Sequence, residues 1–192
     1  MPATIQTAKT ALRKEVQALL KQMSAAERAK ASSQARSRLK PQAIWESAKL
    51  ILFFAPLPEE VDVWPLLIEA LIVGKGTALP RFDSATKTYV ACRVENPDRD
   101  LVRGKFGIRE PRALCRRVSP ARVDLILVPG VAFDLRGCRL GRGKGYYDRL
   151  LASLPGAKCG VAFDQQVVSE VPAEEHDVRL DCLLTPSRWV EF

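Results

Sequence analysis

Residues Arg139 to Asp148 read Arg-Leu-Gly-Arg-Gly-Lys-Gly-Tyr-Tyr-Asp. Gly141, Gly143 and Gly145 alternate with the long cations Arg142 and Lys144, and an aromatic pair and a carboxylate follow. Glycines let a backbone come close to a ligand, and Arg139, Arg142 and Lys144 supply positive charge. The chemistry such a segment suits is holding an anion, phosphate above all. It is neither of the two common phosphate loops. The dinucleotide fingerprint needs a glycine where Tyr146 stands. The P-loop needs Ser or Thr in place of Gly145 and a glycine in place of Cys138. On its glycines alone, the segment reads equally as a phosphate cradle or a structural turn.

The surrounding elements place it. Leu125-Ile-Leu-Val128 is an apolar run ending in Pro129-Gly130, and Tyr147, Leu150, Leu151 and Leu154 recur at helical spacing. The loop therefore lies between a buried strand and a helix start, where unpaired N–H groups favour negative charge.

Upstream, Thr7 to Met23 is predicted as an amphipathic helix with Leu12, Val16, Leu19, Leu20 and Met23 as its apolar stripe. Lys9 and Arg13 lie one turn apart on another face. Ser24-Ala-Ala-Glu27 is a capping box opening a second helix that Pro41 ends. Strands are expected at Lys49–Phe54, Thr77–Leu79, Thr88–Val94, Leu125–Val128, Cys159–Phe163 and Leu180–Leu184. Asp62 is placed to cap a helix carrying Pro65 in its first turn. The run Gly130-Val-Ala-Phe-Asp134 recurs as Gly160-Val-Ala-Phe-Asp164, each read as a buried strand ending in an aspartate.

Strands alternating with helices predict an α/β fold with a largely parallel sheet and helices on both faces. Ligands then bind beyond the carboxyl ends of the strands, so the loops after Phe54, Leu79, Val128, Phe163 and Leu184 should share one edge.

The chain has 192 residues, enough for one domain spanning 1–192 with an N-terminal helical segment (about residues 5–40) packed on it. No apolar run is long enough to span a bilayer, and Lys9, Arg13 and Lys14 interrupt any signal-peptide core, so a cytoplasmic protein is expected. Five cysteines without a Cys-x-x-Cys and a single histidine, His176, argue against zinc and for reduced thiols. A net charge of +8 attracts polyanions. The basic residues are dispersed, without interleaved aromatics, so nucleotides and polycarboxylates are expected partners ahead of nucleic acid.

Five motifs in order resemble the 5-formyltetrahydrofolate cyclo-ligase family, also called 5,10-methenyltetrahydrofolate synthetase. They are Lys9-Thr-Ala-Leu-Arg13, Pro58-Glu-Glu-Val-Asp62, Phe106-Gly-Ile-Arg-Glu-Pro111, Pro129-to-Asp134 with Arg139-to-Arg149, and Glu175-His-Asp177 with Leu180-Asp181 and Thr185. The resemblance covers nearly the whole chain, and it departs at Val63, where the family commonly has threonine. It implies a three-layer α/β/α sandwich around a largely parallel sheet, similar to the sugar-phosphate isomerase and CoA-transferase group.

The implied enzyme is a ligase joining carbon to nitrogen. ATP and 5-formyltetrahydrofolate, with one or more glutamyl residues on its tail, give 5,10-methenyltetrahydrofolate, ADP and phosphate, with Mg2+. The formyl oxygen is phosphorylated, the neighbouring nitrogen attacks the activated carbon, and phosphate leaves as the ring closes. Such phosphoryl transfer needs charge neutralisation and positioning above all.

The resemblance also implies roles. Lys9, Arg13, Arg139, Leu140, Gly141, Arg142, Gly143, Lys144, Gly145, Tyr146 and Tyr147 would contact ATP. Ala55, Glu60 and Phe106 would contact the folate, joined by Arg142, Gly143, Lys144, Gly145 and Tyr146. Arg142, Lys144 and Tyr146 would serve catalysis, and Asp148 and Asp177 would hold the metal. Glu60 is preferred over Glu59 as the pterin carboxylate, and His176 is given a structural or ATP-side role. A monomer is expected. The alternatives are a basic RNA-binding protein that retains the fold, and a related ATP-dependent enzyme with another substrate.

Overall fold

The fold was derived from a computed structural model, in which residues 4–104, 107–143, 145–174 and 177–192 are described. In chain order they form α1 (Ile5–Gln22), α2 (Ala25–Leu39), α3 (Ala43–Ser47), β1 (Leu50–Leu52), α4 (Trp64–Ile72), β2 (Gly76–Asp83), β3 (Thr88–Arg93), α5 (Pro97–Asp100), β4 (Leu101–Arg103), β5 (Arg109–Pro111), β6 (Leu125–Val128), β7 (Ala132–Phe133), β8 (Arg139–Leu140), α6 (Tyr146–Ala152), β9 (Ala157–Val161), β10 (Cys182–Leu184) and β11 (Trp189–Glu191).

Strands apolar at every position, such as β1 and β6, must be buried on both faces, and they lie at the centre of the main sheet. Its order is β11-β10-β9-β6-β1-β2-β3. The five inner strands run parallel, and β3 and β11 close the two edges antiparallel. Alternate residues feed two cores. Ile51, Leu125, Leu127, Val161 and Leu184 pack with α1, α2 and α4 on one face. Leu50, Leu52, Ile126, Val128 and Leu183 pack with Leu150, Leu151 and Leu154 on the other, behind α6. This is the predicted mixed α/β fold with a mostly parallel sheet.

The helices start where their caps dictate. Ser24 Oγ accepts the Glu27 N–H at 3.2 Å while the Glu27 carboxylate accepts the Ser24 N–H at 2.7 Å, and α2 stops before Pro41. Asp62 Oδ1 accepts the Trp64 N–H at 3.0 Å at the start of α4. In α1, Lys9, Val16 and Leu20 share the packed face and are buried, whereas Leu19 lies off that face and is exposed, so the stripe is narrower than the sequence suggested.

Three further differences have local causes. β2 runs through Pro80 instead of stopping there. Ala78 gives its carbonyl to Phe53 N, on the β1 side, so Pro80 turns its missing N–H the same way, where β1 has already ended. Arg139 and Leu140 sit in a two-stranded hairpin with Phe133 and Ala132, not in an open loop. The repeated pentapeptide is not a structural repeat. The first copy lies in that hairpin, and its Asp134 is fully buried as the acceptor for Arg136, Cys138 and Val171 N–H groups. The second copy ends β9, and its Asp164 accepts the hydroxyls of Thr185 and Ser187.

Candidate active site

Beyond the carboxyl ends of β1, β2 and β6 the chain leaves two cavities, and the glycine loop is the wall between them. One, of about 370 Å³, is lined by Phe54, Ala55, Leu57, Glu60, Pro80, Tyr89, Ile108, Arg142, Tyr146 and Tyr147 among others. The other, of about 360 Å³, is lined by Gln6, Lys9, Arg13, Arg149, Glu174 and Asp177 among others. Arg139, Gly141, Gly143, Gly145 and Asp148 line both.

The loop keeps its shape through glycine and arginine. Gly143 and Gly145 have φ of +97° and +63°, a region costly for other residues. Arg13 reaches from α1 to give its Nε–H to the Gly141 carbonyl at 2.9 Å. The Gly141, Gly143 and Gly145 N–H groups have no acceptor among the described residues. These N–H groups are spare donors of the kind an anion cradle uses. The following helix α6 has only 7 residues, so its dipole adds little; the positive field comes from side chains.

Arg139 is the hinge between the cavities. Its side chain is 2% exposed, and it forms a short ion pair with Asp148. Its guanidinium stands 6.0 Å from the Tyr147 ring centre, and its Nε has no partner among the described residues.

In the second cavity Lys9 is buried, with Nζ 2.8 Å from Glu174 and 2.9 Å from Asp177. Burial alone would lower the ammonium's pKa, but the Glu174 and Asp177 carboxylates outweigh it and the net shift is upward. Asp177 also accepts the Glu174 N–H at 2.8 Å.

The first cavity is aromatic with one deep acid. Tyr146 meets Phe82 and Tyr89 edge to face, with centroids 5.4 and 5.9 Å apart, and Arg149 lies 5.0 Å above its ring. Burial pushes the Tyr147 phenol far up, so it stays a neutral donor. The Glu60 side chain is 9% exposed; one oxygen accepts the Leu57 N–H at 3.0 Å and the other meets Arg142 Nη2 at 3.0 Å. Burial raises its pKa, against the Leu57 N–H and Arg142, and the net shift is upward. Glu59 shares Arg142 at 3.1 Å but is 41% exposed.

The residues expected for ATP thus gather around one loop, but not all on one side. Lys9, Arg13 and Leu140 face the second cavity, whereas Arg142, Tyr146 and Tyr147 face the first with Ala55 and Glu60. Asp148 and Asp177, expected to share a metal, line the same cavity. Lys144, Phe106, Glu175 and His176 lie outside the described residues.

Sequence reasoning missed Tyr89, Arg149, Arg109 and Glu110. Tyr89 comes from the antiparallel edge strand, and its only signal was its place in the strand expected at Thr88–Val94. Arg149 was visible as the residue closing the glycine motif.

The family model described as "5-formyltetrahydrofolate cyclo-ligase family" matches residues 5–186. The chain belongs to the 5-formyltetrahydrofolate cyclo-ligase family. It is 34% identical over 149 residues to the Escherichia coli (strain K12) 5-formyltetrahydrofolate cyclo-ligase, covering 76% of this chain and 82% of that protein. Its structure is similar to the NMR structure of Aquifex aeolicus 5,10-methenyltetrahydrofolate synthetase, with a TM-score of 0.86, 40% identity, and 95% and 92% of the two chains covered. It is also similar to the Mycoplasma pneumoniae 5,10-methenyltetrahydrofolate synthetase, with a TM-score of 0.75, 25% identity, and 93% and 98% covered. The family resemblance read from the five motifs is therefore borne out. Among the described residues, no helix is long and apolar enough to cross a membrane.

Proposed function

We propose that this cyclo-ligase binds 5-formyltetrahydrofolate in the aromatic cavity and ATP in the Lys9–Asp177 cavity, and transfers the γ-phosphoryl group across the glycine loop. The observation that carries the reading is the shared wall. One glycine loop lines an apolar cavity with a buried acid and a polar cavity with four cations, so a nucleotide and a planar heterocycle can face each other across it.

Glu60 accepts hydrogen bonds from the amino-pyrimidine edge of the pterin, since a carboxylate has two acceptor oxygens. Tyr146, Tyr89 and Phe54 close over the ring system and exclude water. Lys9, Arg13 and Arg139 neutralise the phosphates, and the free N–H groups of the glycine loop orient them. The formyl oxygen takes the γ-phosphoryl group and ADP leaves. The neighbouring nitrogen then bonds to the activated carbon, loses its proton, and inorganic phosphate departs as the ring closes. Arg142, which spans Glu59 and Glu60 on the folate side of the loop, would neutralise the γ-phosphoryl group as it reaches the formyl oxygen.

Mg2+ fits this arrangement as an ion shared with the nucleotide. Asp148 and Asp177 are carboxylates on one cavity, partly exposed at 32% and 22%. No cluster of three metal-ligating side chains occurs among the described residues. One or two carboxylates with phosphate oxygens is the habit of Mg2+. When bound, it would neutralise charge on the β- and γ-phosphates. The five free cysteines fit work in the reducing cytoplasm.

The test is to mix protein, 5-formyltetrahydrofolate and MgATP and follow methenyltetrahydrofolate by absorbance. Product formed with one ADP per turnover supports the reading. No product, with ATP and the folate both bound, overturns it.

A further inference from the structure

Four cations line the polar cavity: Lys9, Arg13, Arg139 and Arg149. Three of them are engaged. Lys9 holds Glu174 and Asp177, Arg139 holds Asp148, and Arg13 donates to the Gly141 carbonyl. The guanidinium of Arg149 has no hydrogen bond or ion pair among the described residues, and the residue is exposed.

What Arg149 touches is a ring on the other side of the wall. Its backbone N–H closes the turn onto the Gly145 carbonyl at 3.2 Å. Its side chain folds back over that turn, with Nη1 3.5 Å from where a Cβ on Gly145 would stand. The guanidinium carbon lies 5.0 Å from the centre of the Tyr146 ring, a cation–π contact. Arg149 lines the polar cavity and Tyr146 the aromatic one.

Tyr146 is held unequally on its two sides. Phe82 and Tyr89 are register partners on β2 and β3, with ring centres 5.6 Å apart, and each meets Tyr146 edge to face. That side is fixed by the sheet. The other side is Arg149, an exposed chain with several rotatable bonds and nothing to hold its end. A guanidinium is planar, so one face can cover a ring while its N–H edge donates to an anion.

We infer that Arg149 is a positioning residue that couples the two cavities: a phosphate oxygen of the nucleotide takes the free edge of its guanidinium, and the face then holds Tyr146 in place beside the folate. This rests on the nucleotide occupying the polar cavity and the folate the aromatic one. With Arg149 already ordered by the nucleotide, ordering Tyr146 costs the folate less, so each ligand tightens the other. Linkage requires the two effects to be equal.

The experiment measures, by calorimetry, the Kd of 5-formyltetrahydrofolate with and without a non-hydrolysable ATP analogue and Mg2+, and the Kd of the analogue with and without the folate. In the wild type each ligand lowers the other's Kd by the same factor, roughly tenfold. Arg149→Met keeps an apolar chain against Tyr146 but removes the charge and the donors. Its coupling falls to about one, while the folate Kd without nucleotide stays unchanged. Arg149→Lys restores the charge without the planar face and recovers only part of the coupling. Equal coupling in the wild type and Arg149→Met overturns the inference. So does a folate Kd weakened by the same factor with and without nucleotide, which would make Arg149 packing alone. Simultaneous binding without coupling in the wild type overturns the inference and leaves the two-cavity reading standing; competition between the ligands overturns both.

Discussion

The two cavities beside the glycine loop are nearly equal in volume and opposite in chemistry. One joins a buried lysine to two carboxylates, and its charges are paired and partly open to water. The other stacks Tyr89, Tyr146 and Tyr147 around one deep carboxylate whose burial raises its pKa. A site for a triphosphate must offer cations that stay charged and exchange partners cheaply. A site for a heterocycle must offer apolar area and few, well-placed acceptors. If ATP and the folate occupy these cavities as proposed, donor and acceptor are sorted by solvation, and the loop between them serves both.

Breaking the shared wall should have the largest effect. Arg139→Met leaves Asp148 unpaired beside both cavities. Arg139 is buried but Asp148 is 32% exposed, so losing this pair should cost about 1–3 kcal/mol, and thermal or urea unfolding should show a measurable loss. Turnover should fall with both substrate constants raised; a defect confined to one constant would mean that the cavities are independent.

Next comes the donor that bridges the loop to the acidic segment. Arg142→Ala should reduce kcat by roughly 10- to 100-fold, the equivalent of about 1.5–3 kcal/mol for a charge-assisted hydrogen bond. Its effect on folding should be small, since the side chain is 44% exposed. Unchanged kcat with a raised folate KM would move Arg142 wholly to the pterin side.

Glu60→Gln sharpens the contrast by pH. The folded protein holds Glu60's pKa above its ordinary value, so the neutral acid is favoured by folding. Ionisation then draws on stability as pH rises from about 4.3 through the raised value. The glutamine variant should be at least as stable as the wild type near neutral pH, yet bind the folate more weakly and ATP normally. In the wild type, folate KM should fall as pH rises through that window, and the variant should lose this dependence. A pH-independent wild-type KM would remove the ionised carboxylate from recognition.

The smallest effect expected is a coupling. Asp148→Asn and Asp177→Asn should each raise the Mg2+ requirement, and the double variant should lose less than the sum, because both act through one ion. Full additivity in a Mg2+ titration would separate the two residues.

Much of this was legible in the sequence, for reasons that differ by region. The capping box at Ser24–Glu27 and the apolar runs of β1 and β6 are local signals, and they fixed helix starts and sheet centre. The glycine loop was legible as a tight turn before a helix because φ values such as that of Gly143 favour glycine, whereas its reading as an anion cradle rested on the cations and on the family resemblance. Three things were not. β2 continues through Pro80 because its neighbour has already ended, which is a tertiary fact. The sorting of Arg142 and Arg139 to different surroundings depends on a hairpin, Phe133 with Arg139, too short to leave a periodicity. β11 was missed because three residues at the chain end leave no pattern.

The central claim is that phosphoryl transfer to the formyl oxygen occurs across the glycine loop, and the oxygen atom can be followed directly. 5-Formyltetrahydrofolate labelled with 18O at the formyl group, turned over with MgATP, should deliver one 18O atom into each inorganic phosphate released, matching methenyltetrahydrofolate formed. Methenyltetrahydrofolate appearing with unlabelled phosphate would mean that the formyl oxygen never accepts the phosphoryl group, and would contradict the account.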